Sequence, residues 1–170
     1  PSRVASLPGG VAALAAARGL GSDVVVYAVG PAGDLQSSSV NSGAVLRRAA
    51  LFPASPLTCL ALLPGGGGPG RPANLVALAG GADGRVHAYQ PASGAVLGSW
   101  AAHGDAVTAA VILPGGGGGG GASSSSTPCL ATASWDGTVR VWALDPSSPP
   151  WAASASSSPS PPTPLATLAV

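Results

Sequence analysis

The chain is 170 residues long, with 26 glycines, 18 prolines and only 8% charged residues. Its seven cations are all arginine and its six anions all aspartate, leaving a net charge of +1. Charge this sparse and scattered offers no field for nucleic acid or for an anionic membrane. No apolar run reaches the ~18 residues that a membrane span needs. The start lacks a charged stretch leading into an apolar core, so no secretory signal is read. The two cysteines, Cys59 and Cys129, are expected to be buried, reduced thiols in strands, as in a cytosolic chain.

In chain order, the first segment (8–51) reads as four short strands at 11–17, 24–28, 34–40 and 44–51. Residues 11–17 (VAALAAA) favour a helix on alanine propensity. Only their place in a repeat argues for a strand. The second segment (56–100) predicts strands at 57–63, 75–80, 85–90 and 95–100, with a glycine-rich loop at 64–72 and a turn at Asp83-Gly84. The third (106–170) predicts strands at 106–113, 129–134, 138–144 and 165–170. It carries a Gly/Ser loop at 114–128, a turn at Asp136-Gly137 and a Ser/Pro insert at 145–164. The insert includes a lone Trp151 and several Ser-Pro steps, and its composition predicts a disordered or polyproline loop. Glycines 65–70 and residues 115–126 are expected to be irregular.

Three features share one period, the mark of an internal repeat. The pentapeptide SGAVL stands at Ser42 and again 51 residues later at Ser93. A Gly-x-Leu/Val step stands at Gly33, Gly84 and Gly137, spaced by 51 and 53 residues. The segment PLTCLALLPGGGG at Pro56 returns as AVTAAVILPGGGG at Ala106, 50 residues on. The two inserted loops, 64–72 and 114–128, lengthen this period, which closure entropy tolerates.

The best-formed unit is LATASWDGTVRVW at 130–142: an apolar strand, an Asp-Gly turn, then a strand alternating toward Trp142. This unit resembles the core hairpin of a WD-repeat (WD40) blade. The resemblance implies an all-β fold, a partial WD40 propeller of about three four-stranded antiparallel blades. It also implies a hydrogen-bonded tetrad, carried here by His103, Thr132, Asp136 and Trp142. Asp136 would accept from the imidazole, whose other nitrogen meets the Thr132 hydroxyl, which meets the indole N–H. The second segment departs from this pattern with Pro53, Ala79 and Tyr89 around Asp83, and the first with Ala32 and Ser38 at the Asp and Trp positions.

Little else suggests chemistry. Neither glycine run is followed by the lysine of a phosphate loop. The two cysteines and two histidines lack metal-site spacing, and no nucleophile elbow accompanies His103. His87 reads as a mid-strand side chain without a ligand role. The expectation is no catalytic residue, no cofactor and no metal.

At the level of family, residues 30–170 are similar to the WD-repeat region of BEACH-domain proteins. The shared features are the strand VLRR at Val45, the order GRVHAYQPASG, WAAHGDAV, ASWDGTVRVW, and a Pro-rich insert before PLATL at Pro164. The resemblance implies a non-enzymatic protein-interaction scaffold in membrane trafficking or receptor signalling. It would be cytoplasmic and peripheral to membranes, with no direct insertion and no nucleic acid. Its partners would be other proteins and the remaining propeller blades of the same full-length chain. The alternatives are a generic WD adaptor of a ubiquitin-ligase or RNA-processing complex, and the non-catalytic propeller part of an enzyme.

Overall fold

A computed structural model describes residues 7, 9–19, 22–64, 75–113, 115, 127–155 and 162–170. The stretches read as irregular, 65–70 and 116–126, lie outside them. Twelve strands form three antiparallel four-stranded sheets, each a simple meander. The first blade holds β1 (Ala13–Arg18), β2 (Val24–Val29), β3 (Asp34–Ser39) and β4 (Val45–Ala50). The second holds β5 (Leu57–Leu63), β6 (Val76–Gly81), β7 (Arg85–Gln90) and β8 (Ala95–Ala101). The third holds β9 (Val107–Leu113), β10 (Cys129–Ser134), β11 (Thr138–Ala143) and β12 (Ala166–Ala169).

The alanine-rich β1 is a strand because its odd positions, Ala13, Ala15 and Ala17, pack into the seam with the second blade. Tertiary burial overrides local helix propensity here. The core consists of two such seams. Val25, Tyr27, Val29 and Leu35 of blade one meet Leu57, Leu60, Ala77 and Tyr89 of blade two. On the other side of blade two, Leu78, Val86, Ala88 and Trp100 meet Val107, Leu130 and Trp142 of blade three. A sheet covered on both faces needs small residues, and β6 reads VALAGG. A methyl group on Gly80 would stand 2.5 Å from the Cys59 sulfur and 2.8 Å from Val107 Cβ.

The three β-turns between second and third strands share one conformation, with Gly33, Gly84 and Gly137 at φ of +71°, +74° and +75°. No other residue type has positive φ among the described residues. In the Asp136-Gly137 turn only glycine adopts the positive φ, and the turn is closed by Gly137 N–H to Ser134 C=O. Asp136 is in the turn for its carboxylate, which accepts the Thr138 N–H at 3.0 Å.

Two further expectations are corrected. The insert 145–164 is not structureless throughout: Pro150–Ala155 is a 3₁₀ helix packed on β8. Trp151 lies against Trp100 with ring centroids 6.3 Å apart, and Trp100 meets Trp142 edge-on at 5.9 Å. Indole area is the reason, since aromatic burial outweighs the disorder-prone composition around it. Residues 156–161 lie outside the described residues. Both cysteines are free, but only Cys59 is buried; Cys129, at the start of β10, is half-exposed because its strand face has no neighbouring blade.

Trp151→Ala should lower stability by about 1–3 kcal/mol through lost aromatic burial, read as a lower urea midpoint. An unchanged midpoint would mean that the helix contributes no stability. Val111, Leu113 and Leu168 are exposed on the face of blade three turned away from blade two, and Leu14 on the opposite end. With so little surface charge to oppose it, residues 1–170 expressed alone should self-associate. Sedimentation as a monomer with a sharp thermal transition would contradict this.

Candidate functional site

The turns after β2, β6 and β10 and the connections leading into β5 and β9 gather at one end of the blades. Backbone bonds tie them: the Phe52 N–H donates to Gly33 C=O, and those of Ala102 and His103 to Gly84 C=O. At this end the structure brings His103, Thr132, Asp136 and Trp142 together. The Trp142 indole N–H donates to Thr132 Oγ1 at 3.0 Å. Thr132 Oγ1 lies 2.8 Å from His103 Nε2, and His103 Nδ1 lies 3.1 Å from Asp136 Oδ2. All four donors and acceptors are satisfied if the histidine proton sits on Nδ1, so that the threonine hydroxyl donates to Nε2.

Further bonds fasten the chain to its surroundings. Asp136 accepts from the Gly104 N–H at 3.0 Å and from the Thr138 hydroxyl at 2.6 Å. Arg140 reaches the Ala102 carbonyl at 2.7 Å and stands 3.8 Å from Asp136. Partial burial by itself pushes the Asp136 carboxyl up. The hydrogen bonds from Thr138, Gly104 and His103 outweigh it and hold the carboxyl well below the usual carboxylate range. Thr132, Trp142 and His103 are all buried. Their polar side-chain atoms hydrogen-bond to one another. Among the described residues no group of three or more His, Cys or Asp could hold a metal ion.

The second blade answers the missing histidine differently. Asp83 accepts the Arg85 N–H at 3.1 Å, as Asp136 does that of Thr138. His87, on β7, is buried, packs at a tilt against Phe52 with ring centroids 4.2 Å apart and places Nε2 3.4 Å from Asp83. Burial pushes its pKa down, against the pull of Asp83. Sequence reading missed this pair because Phe52 and His87 lie 35 residues apart on different elements. In the first blade Asp34 is the buried carboxylate, 3.4 Å from Arg48.

The sequence leaves open whether Trp135 belongs to a binding face. This residue precedes Asp136 in the third turn, its N–H donates to Ala106 C=O, and 76% of its surface is exposed. The neighbouring Ser134 hydroxyl donates to the backbone carbonyl of Asp105, which ties this turn to the link before β9.

No family model matches the sequence, and no curated protein does. The fold has clear relatives among solved structures. The WD40 repeats of RRP9 superpose with a TM-score of 0.63 at 16% identity, over 98% of this chain and 41% of that one. The structure of U3-55K matches with the same score, identity and coverage. The architecture is therefore that of a WD40 β-propeller, of which these three blades are a part, and the chain spans less than half the length of either relative.

Asp136→Ala should cost on the order of 1–3 kcal/mol, because His103 loses its partner. The pH dependence has a definite sign. A folded carboxyl held below its unfolded pKa stabilises fully above the unfolded value, and the gain fades as pH falls through the folded one. The urea-midpoint gap between Asp136→Asn and the native chain should thus be constant near neutrality and narrow below about pH 4. A gap independent of pH would contradict the charged role of Asp136.

Proposed function

We propose that the chain is part of a non-enzymatic protein-interaction scaffold, and that it binds partners at the end of the blades where Trp135 stands. The exposure of Trp135 carries the reading. An indole left 76% in solvent does nothing for the fold, whereas an exposed tryptophan is the kind of anchor that dominates interfaces. The polar residues behind it hold the turn in place and take no part in chemistry.

The finer reading places the chain in a BEACH-type protein of membrane trafficking or receptor signalling, similar to the neutral sphingomyelinase activation-associated factor. Its support is the sequence order from WAAHGDAV to ASWDGTVRVW and the Pro-rich insert before PLATL. A cytoplasmic location, peripheral to membranes, goes with it. A BEACH domain in the same full-length chain would support that reading, and a different neighbouring domain would count against it.

Trp135→Ala in the full chain should leave the urea midpoint within about 0.5 kcal/mol of native, as surface changes usually do. It should weaken capture of the proteins that co-purify with the native chain by at least roughly tenfold, a hot-spot effect. An unchanged set of partners would remove this face from consideration.

A further inference from the structure

We propose that a cleft at the opposite end of the blades binds a partner peptide through an acidic side chain set next to an apolar one. The cleft, about 420 Å³, opens at the seam between blades one and two. That volume suits one or two side chains. Its apolar wall includes Leu46 and Pro91, and its polar lining is Asp23, Tyr27, Ser37 and Arg47.

The arrangement follows from strand register. Tyr27 pairs with Ser37, and Ser37 with Arg47, so the three lie in one row across β2, β3 and β4. A β-bulge directly follows Ser37. The row faces blade two, where Pro91–Gly94 forms the turn between β7 and β8. Arg47 is close against that turn: a side chain on Gly94 would meet its guanidinium at 2.0 Å.

Three groups in this row are unspent. Among the described residues the Tyr27 and Ser37 hydroxyls make no hydrogen bond, yet neither is sealed from solvent. Arg47 has no ion pair or hydrogen bond among the described residues. Asp23 on the rim is already engaged, accepting from the Ser39 hydroxyl at 3.0 Å and the Asn41 N–H at 3.4 Å. A carboxylate entering the cleft would meet a guanidinium and two hydroxyl donors in line, a charge-assisted set. The apolar wall beside them would take the neighbouring residue. A nucleic acid backbone would need several cations, and this rim offers one beside a fixed carboxylate. The ligand shares with the scaffold reading only that it is a protein, and the surface is a separate one.

The test is selection of a random heptapeptide library on the full native chain and, in parallel, on Arg47→Glu. Native selection should enrich peptides with Asp or Glu adjacent to an apolar residue. Selection on Arg47→Glu should lose that preference and shift toward basic residues. The best acidic peptide should bind Arg47→Glu at least tenfold more weakly by fluorescence anisotropy, and Tyr27→Phe a few-fold more weakly. The urea midpoints should match, because Arg47 is exposed. Enrichment without an acidic bias, equal binding to Arg47→Glu, or no enriched peptide at all would overturn the proposal. Repeating the selection on Trp135→Ala separates the two surfaces. The acidic preference should survive there, whatever becomes of the partners captured at the other end.

Discussion

The structure depends on one constraint: none of its sheets can bury its own faces. A four-stranded sheet of alanine, valine and glycine gains stability only when another sheet covers it. The middle blade is covered on both sides, which its central strand β6 permits by being apolar and small, whereas blade three leaves Val111, Leu113 and Leu168 exposed on one face. The two seams therefore hold the core, and everything else either keeps the sheets at seam distance or connects them.

The His103–Asp136 chain is one such connection. His103 lies between β8 and β9, so it belongs to the link that carries the polypeptide from blade two to blade three. Its bonds to Thr132 and Asp136 fasten that link to the β10–β11 hairpin. The Arg140 bond to Ala102 does so again from the side. Blade two meets the same need with the tilted contact of Phe52, in the link from blade one, against buried His87 beside Asp83. In blade one the Asp34–Arg48 pair joins two neighbouring strands instead. A repeat with conserved backbone geometry thus tolerates unequal polar contacts, because the glycine turns and the seams carry the shape.

The two ends of the blades differ in consequence. At the Trp135 end His103, Thr132, Asp136 and Trp142 satisfy one another and an aromatic projects. At the Arg47 end an exposed arginine and two buried hydroxyls line a cleft, with no hydrogen bond among the described residues. The first is a surface for apolar contact, the second for recognition of charge.

The strands, their antiparallel order and the turn glycines were legible in the sequence, since period-two alternation and a positive-φ turn are local requirements stamped on local residues. The four residues of the polar chain could be named as well, but only through the resemblance to WD repeats. The stack of Trp151 on Trp100 could not. Its partner is 51 residues away, and the Ser/Pro composition around it argues for disorder. The same holds for His87 against Phe52, and for the row of Tyr27, Ser37 and Arg47. That row depends on pairing register and on where a bulge falls, which no single strand records. Local sequence determined the elements. Only the packing of one blade on the next decided which side chains would meet, because contact across a seam is set by the geometry of two sheets at once.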